Sequence, residues 1–181
     1  MGKKVAIIGT VGLPAKYGGF EIFVEQVVQY LWNDFKITVY CEKAAYQTRP
    51  SKINNVFLKY IPLKANGIQS IPYDIFSILD ALRYADSLLI LGVSGCAILP
   101  LLRLLGCRKN IIVNIDGIEW KRAKWSGFAK WFLHFSEKCA ICYADTVVGD
   151  NQVIVDYVKS TYRHPCRLIE YGADNRKLEE K

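Results

Sequence analysis

The chain has 181 residues, of which 51% are hydrophobic and 23% are charged, so it can bury the core of an ordinary domain and is not of the disordered type. Its formal net charge of +7 suits a phosphorylated substrate, an anionic lipid or a nucleic acid. No nucleic-acid motif accompanies the charge, so we expect no nucleic-acid partner. We also expect no signal peptide and no membrane span, because no apolar stretch reaches the ~20 residues that cross a bilayer.

Strand-like and helix-like segments alternate along almost the whole chain. The predicted strands lie at residues 5–10, 36–41, 56–63, 87–93, 110–116, 146–149 and 167–170. The predicted helices lie at 20–33, 73–84, 95–105 (expected to be buried), 126–143 and 152–162, and the polar segment 44–55 is predicted to be a loop. This order indicates an α/β fold with a Rossmann-like, doubly wound parallel sheet of about seven strands in three α/β/α layers. Ligands of such sheets bind beyond the C-terminal strand ends, so candidate site residues are expected there.

The turn after the first predicted strand is rich in glycine and leads directly into a helix. Gly12, Gly18 and Gly19 lie in this turn, and Glu21 follows in the first helical turn. The first N–H groups of a helix are unpaired and glycine lets a ligand approach the backbone, so we interpret these four residues as a diphosphate-binding loop. The alternative is a turn that needs glycine for steric reasons only. An NAD(P)-binding oxidoreductase with a variant phosphate loop is a further alternative, although the G-x-G-x-x-G spacing is missing.

A dense run of charge follows the predicted strand at 110–116. Asp116 and Glu119 are the candidate catalytic residues, because a carboxylate at a strand end can orient a sugar hydroxyl or act as a general base. Arg122 and Lys124 could hold a phosphate or the acceptor. The alternative is a helix cap and a surface ion pair between Asp116 and Arg122.

The predicted strand at 146–149 ends in two further polar residues. Asp150 and Asn151 could hydrogen-bond a ligand at the strand end, and we include them among the residues that bind acceptor or phosphate. Asn151 is equally suited to cap the helix that follows. The sequence does not choose between these two roles.

Residues 121–135 mix basic and aromatic side chains. Such a mixture is typical of an amphipathic helix that lies on anionic lipid, and Lys121, Trp125, Lys130 and Trp131 are predicted to face the membrane. The alternative is a helix whose aromatic side chains face the core while its lysines face water.

A metal site is not expected. Cys139 and Cys142 have the CxxC spacing, but neither a second cysteine pair nor a cluster of histidines accompanies them. Because structural zinc usually takes four ligands, these thiols are better explained as packing residues.

Residues 12–21, 116–125 and 171–174 together resemble the N-terminal domain of family 4 glycosyltransferases of the GT-B fold. Within that family the chain is most similar to bacterial rhamnosyltransferase-type proteins, and the resemblance covers essentially its whole length. It implies a retaining enzyme of cell-surface polysaccharide synthesis that moves a sugar, rhamnose in the first instance, from a nucleotide-diphosphate sugar such as dTDP-rhamnose. The acceptor would be a lipid-diphosphate-linked saccharide at the inner face of the cytoplasmic membrane, and neither a metal nor another cofactor is implied.

The resemblance also implies a division of labour between two domains. GT-B enzymes bind the acceptor mainly with the N-terminal domain and the nucleotide-sugar with the C-terminal one, so Gly18 and Gly19 would face the donor diphosphate across a cleft. Many family members carry a histidine where this chain has Asp116, which is a departure from the pattern. We expect residues 1–174 to be the acceptor-side domain, 175–181 to begin a linker, and the donor domain of the same protein to be missing, so that the chain folds without catalysing. A non-catalytic binding module is the remaining alternative.

Overall fold

The computed structural model describes residues 2–16, 18–123 and 125–171, which form one sheet with helices on both faces. The predicted linker at 175–181 and the last three residues of the 171–174 segment lie outside this part of the chain. The strands are β1 (Lys4–Ile8), β2 (Lys36–Glu42), β3 (Lys52–Ile53), β4 (Val56–Ile61), β5 (Ser87–Leu91), β6 (Asn110–Ile115), β7 (Thr146–Gly149) and β8 (Arg167–Leu168). The helices are α1 (Gly19–Leu31), α2 (Ser70–Ala81), α3 (Leu99–Leu104), α4 (Gly127–Tyr143) and α5 (Gln152–Tyr162).

The strand order is β3-β4-β2-β1-β5-β6-β7-β8, and every pair is parallel except β3 with β4. The predicted doubly wound, mostly parallel α/β sheet is therefore confirmed. Chain order reverses at β1, which lies between β2 and β5, and this reversal is the switch point beside which ligands of such sheets bind.

Two local predictions are wrong. The sheet has eight described strands, because the predicted loop at 44–55 contains β3, which pairs with β4 through a tight turn at Asn54 (φ 51°). A two-residue strand is too short to show alternation in the sequence. The buried helix predicted at 95–105 is a 3-10 turn at Cys96–Ile98 followed by the short α3, and Leu104 at its end is exposed.

The core lies on both faces of the sheet. Alternate residues of β1 separate the two sides: Ala6 and Ile8 belong to the larger cluster, with side chains of α2 to α5, and Ile7 belongs to the smaller cluster under α1. All three are fully buried, as expected for a central parallel strand covered by helices on both faces. The C-terminal ends of β1, β5 and β6 are consequently held side by side at one edge of a rigid sheet.

Gly12 and Gly19 lie in the same turn but differ in what an added methyl group would meet. Gly12 has φ 125°, and a Cβ there would lie 2.5 Å from Cys41 Sγ, whereas a Cβ on Gly19 would meet no atom within 4 Å. We expect Gly12→Ala to lower the free energy of unfolding by about 1–3 kcal/mol, through strain and overpacking, and Gly19→Ala to change it by less than about 1 kcal/mol. Urea denaturation of the two variants measures the difference, and equal losses would contradict this account of the turn.

Candidate functional site at the C-terminal strand ends

The β1–α1 turn is closed from within by a buried carboxylate. Glu21 Oε1 accepts hydrogen bonds from Thr10 Oγ1 (2.9 Å) and from the backbone N–H of Val11 (2.8 Å). Gly18 packs on the same carboxylate, since a Cβ there would lie 2.1 Å from Glu21 Oε2. Glu21, which the sequence analysis included in the diphosphate loop, therefore holds the loop in shape from its inner side.

The first turn of α1 remains open to an approaching group. Gly18 is the N-cap residue with φ 116°, and no side chain of the described residues caps the helix. A Cβ added to Gly19 would meet no atom of the described residues within 4 Å, and the unpaired N–H groups of a helix N-terminus attract anions. Gly12 packs against Cys41 of β2 instead, so its glycine is explained by close packing within the turn.

A polar pocket lies at the C-terminal ends of β1, β5 and β6, beside the switch point. Its volume is about 140 Å³. Gly9 and Phe20 line it on the β1–α1 side and Ala65 to Gly67 on the opposite side. The polar side chains that line it are Asn66, Ser70, Asp74, Ser94, Asp116, Glu119 and Arg122, together with the indole of Trp125.

Arg122 brings the two predicted catalytic carboxylates into one network. Its Nε lies 2.9 Å from Glu119 Oε2, and a terminal nitrogen lies 3.9 Å from Asp116 Oδ2. Burial raises the pKa of Asp116; the positive charge of Arg122 acts against this rise and the negative charge of Glu119 adds to it. The alternative ion pair of Asp116 with Arg122 is present, but Arg122 lies closer to Glu119. Asp116 also lines the pocket.

Trp125 lies in the pocket wall. Its indole nitrogen donates a hydrogen bond to Glu119 Oε1 (3.0 Å), which places the ring beside the carboxylates. The sequence predicts that Trp125 faces the membrane, because residues 121–135 mix basic and aromatic side chains. Lys124, the neighbouring candidate for phosphate binding, lies outside the described residues.

Asp74 is a site residue that sequence reasoning missed. The carboxyl group, which lies on α2, is buried and lines the pocket; it accepts from the backbone N–H of Gly95, and Oδ1 has no partner among the described residues. Burial raises its pKa well above the usual range, which favours the neutral, hydrogen-bond-donating form. A single acid in an amphipathic helix carries no sequence signal that distinguishes it from a surface residue.

Glu137 is a second buried carboxylate that the sequence did not reveal. Its Oε1 accepts hydrogen bonds from Trp120 Nε1 (3.3 Å), Tyr157 (2.7 Å) and Tyr162 (2.6 Å). Trp120 belongs to the 3-10 turn Glu119–Lys121, so this bond ties the pocket segment to α4 and α5. Glu137 thus supports the position of Glu119 without lining the pocket.

Asn151 caps α5, and Asp150 contacts the Asn151 side chain. Asn151 Oδ1 accepts from the backbone N–H of Ile154 (3.0 Å) at the start of α5, and its amide donates to Asp150 Oδ1 (2.8 Å). Neither residue lines the pocket, so the structure supports the capping alternative for Asn151.

Three aromatic side chains of α4 form a row on its outer face. Phe128, Trp131 and Phe135 are 76%, 62% and 46% exposed, and their ring centroids are 5.9 and 6.1 Å apart in succession. The alternative in which the aromatic side chains face the core is wrong for these three. Lys121 lies nearer α5, with its ammonium group over the rings of Trp120 and Tyr157, and Lys130 is half-buried on the side of the helix.

Metal binding and membrane crossing find no support in the described residues. These residues contain no group of three or more His, Cys, Asp and Glu side chains placed to hold a metal ion. None of the helices in the same part of the chain is long and apolar enough to cross a bilayer.

The fold and its switch-point pocket define a Rossmann-like α/β domain of the kind found in GT-B proteins. Residues 2–174 match the family described as "Domain of unknown function (DUF1972)", and the chain belongs to that family. No curated protein is similar enough to count as a relative.

Two solved structures of sucrose-phosphate synthase from Thermosynechococcus elongatus resemble this chain. The first has a TM-score of 0.70 at 16% identity and covers 94% of this chain and 48% of its own length. The second, a shorter chain, has a TM-score of 0.64 at 14% identity and covers 95% of this chain and 91% of its own. At these identities the likeness shows the fold, and the chain spans about half the length of the longer synthase.

The raised pKa of Asp116 predicts a pH-dependent stability. Between the unfolded pKa of about 3.9 and the higher native value, the folded protein binds more protons than the unfolded chain, so stability falls as pH rises. We expect Asp116→Asn to raise the free energy of unfolding at about pH 7 by roughly 0.5–1 kcal/mol, a gain that disappears below about pH 3.5. Urea denaturation at several pH values measures this gain, with the exposed Asp34→Asn as a control of equal charge change. If Asp116→Asn still raised the free energy of unfolding below about pH 3.5, the gain would not come from the raised pKa of Asp116.

Proposed function

We propose that this chain is the acceptor-side domain of a retaining glycosyltransferase that uses a nucleotide-diphosphate sugar. The observation that carries the proposal is the pocket at the switch point, in which Asp116, Glu119 and Arg122 meet at the end of β6 on a domain of GT-B type. The sequence resemblance to family 4 enzymes includes this same segment. The donor would approach the open first turn of α1 at Gly18 and Gly19 from a second domain.

The two carboxylates have different roles in this proposal. Asp116 accepts a hydrogen bond from the attacking acceptor hydroxyl and orients it. The new glycosidic bond forms on the face of the donor sugar from which the nucleotide diphosphate leaves, and the departing diphosphate takes the hydroxyl proton. Glu119 is held by Arg122 and Trp125, so it orients the acceptor by hydrogen bonding. Asp74, in its neutral form, would add a hydrogen-bond donor to the pocket floor, which suits an uncharged polyol.

The finer substrate assignment rests on the sequence resemblance. We propose rhamnose, carried by a nucleotide such as dTDP, as the donor sugar and a lipid-diphosphate-linked saccharide as the acceptor, in cell-surface polysaccharide synthesis. No metal and no cofactor beyond the donor is proposed. The protein would act peripherally at the inner face of the cytoplasmic membrane, and the exposed aromatic row on α4 supports contact with a lipid surface.

The full-length gene product tests the catalytic proposal. We expect it to transfer sugar from one member of a nucleotide-sugar panel to a lipid-linked saccharide, and we expect Asp116→Asn to reduce kcat by about 100-fold because the carboxylate that orients the acceptor hydroxyl is lost. Gly19→Val should also abolish turnover while the protein stays folded, because its side chain would fill the open space at the α1 N-terminus. Unchanged turnover in both variants would overturn the proposed site.

Vesicle sedimentation tests the membrane contact. We expect this chain to bind vesicles that contain anionic lipid at low salt, and the double variant Phe128→Ser and Trp131→Ser to bind about tenfold or more weakly, because burying aromatic side chains drives interfacial binding. The control is Tyr30→Ser with Val153→Ser, which removes two side chains that are equally exposed (75% and 74%) on α1 and α5. Equal loss in both double variants would contradict a docking role for α4.

A further inference from the structure

A second cavity lies on the other side of the connection from β4 to α2. Its volume is about 350 Å³. Lys64 and Gln69 of the connection line this second cavity, whereas Ala65, Asn66 and Gly67 between them line the polar pocket that contains Asp116 and Glu119. We call that polar pocket the carboxylate pocket. The two cavities therefore share a wall of a few residues at the same edge of the sheet.

The second cavity is positively charged. Lys43, Arg49 and Lys64 line it, and none of its lining residues is acidic. Glu42, the acid adjacent to Lys43 in sequence, directs Oε2 to the backbone N–H of Ala65 (2.9 Å), so its charge is engaged with the connection. We call this cavity the basic pocket. Its charge contrasts with the carboxylates across the shared wall.

Two hydrogen bonds fix donors in the basic pocket. Arg49 donates from Nε to the carbonyl oxygen of Lys43 (3.0 Å), which restrains the guanidinium, and within the described residues its two terminal nitrogens have no hydrogen-bond partner. Gln69 accepts from the backbone N–H of Lys64 (3.1 Å) through its side-chain oxygen, so its amide nitrogen is the free donor. A restrained guanidinium with neighbouring ammonium groups matches the geometry of phosphate oxygens.

We propose that the basic pocket binds the phosphate or diphosphate group of a ligand whose uncharged hydroxylated end occupies the carboxylate pocket. The basic pocket has three cations and no acid among its described lining residues, so it attracts a phosphate more strongly than the carboxylate pocket, where Asp116 and Glu119 accompany the single cation Arg122. The charge pattern thus places the phosphate end of such a ligand in the basic pocket and its hydroxylated end in the carboxylate pocket, with the connection from β4 to α2 between them. Naming this ligand as the sugar acceptor rests on the proposed function, whereas the anion site does not.

Calorimetric titration of this chain with inorganic pyrophosphate at low salt tests the site. We expect saturable binding that the triple variant Lys43→Ser, Arg49→Ser and Lys64→Ser weakens about tenfold or more, because several charge-assisted hydrogen bonds are lost. The control triple Lys3→Ser, Arg108→Ser and Lys36→Ser removes the same charge at the opposite ends of the strands, and it should bind within about twofold of the unchanged chain. All six side chains are exposed.

Two results would overturn the proposal: no binding of pyrophosphate by the unchanged chain, or equal weakening by both triple variants, which would reduce the effect to net charge. Arg49→Lys adds a check on geometry, since it keeps the charge but loses the guanidinium fork and should bind several-fold more weakly. Lys43 and Lys64 are unchanged in that variant, so weaker binding would be due to Arg49 alone.

Anionic vesicles distinguish the source of the phosphate. If the basic-pocket triple variant loses pyrophosphate but still sediments with vesicles, the site serves the diphosphate of a bound ligand. If it loses both, the site contacts lipid headgroups. If this chain binds pyrophosphate but the full-length protein transfers no sugar, the anion site is confirmed and the proposed function is wrong.

Discussion

Parallel pairing of β1, β5 and β6 places three strand ends side by side, and the carboxylate pocket depends on this arrangement. Each of these strands is followed by a connection that leaves the sheet at the same edge, so the residues after Ile8, Leu91 and Ile115 converge although they are far apart in the chain. The central position of β1, with helices over both faces, makes that edge rigid. The buried Glu21 carboxylate then shapes the first of these connections, and Arg122 gathers the acids of the third.

Polar groups without partners are concentrated around the candidate site. Asp74 Oδ1, Asn114 Oδ1 and Glu137 Oε2 are buried and have no hydrogen-bond partner among the described residues. Asp74 lines the pocket, Asn114 lies on β6 and donates to Tyr171 (2.6 Å), and Glu137 anchors Trp120. Each such group costs about 1–3 kcal/mol when it stays unpaired. Functional sites often keep such unpaired groups, although replacing them would make the folded protein more stable.

The order of elements was predictable because each long element has a strong period or a continuous apolar run. Prediction failed at β3, which is too short to show a pattern, and at α3, where leucines on all sides hide which face is exposed. The rule that ligands bind beyond strand ends pointed to Asp116, Glu119 and Arg122, and the fold places all three in the lining of one pocket. Asp74 and Glu137 could not be found in this way, because a carboxylate on a helix has the same local sequence whether it is buried or solvated.

The sequence by itself determined the α/β class, the position of the glycine turn and the charged segment after β6, since these follow from local periodicity and from the order of residues along the chain. Only the tertiary structure decided where particular side chains point. Trp125 contacts the carboxylates, Asn151 bonds to its own helix, and Phe128 and Trp131 face solvent. The physical reason is that orientation depends on packing between elements distant in sequence. The shared wall between the carboxylate pocket and the basic pocket is likewise a property of the folded sheet edge, where residues 64–69 lie between the two cavities.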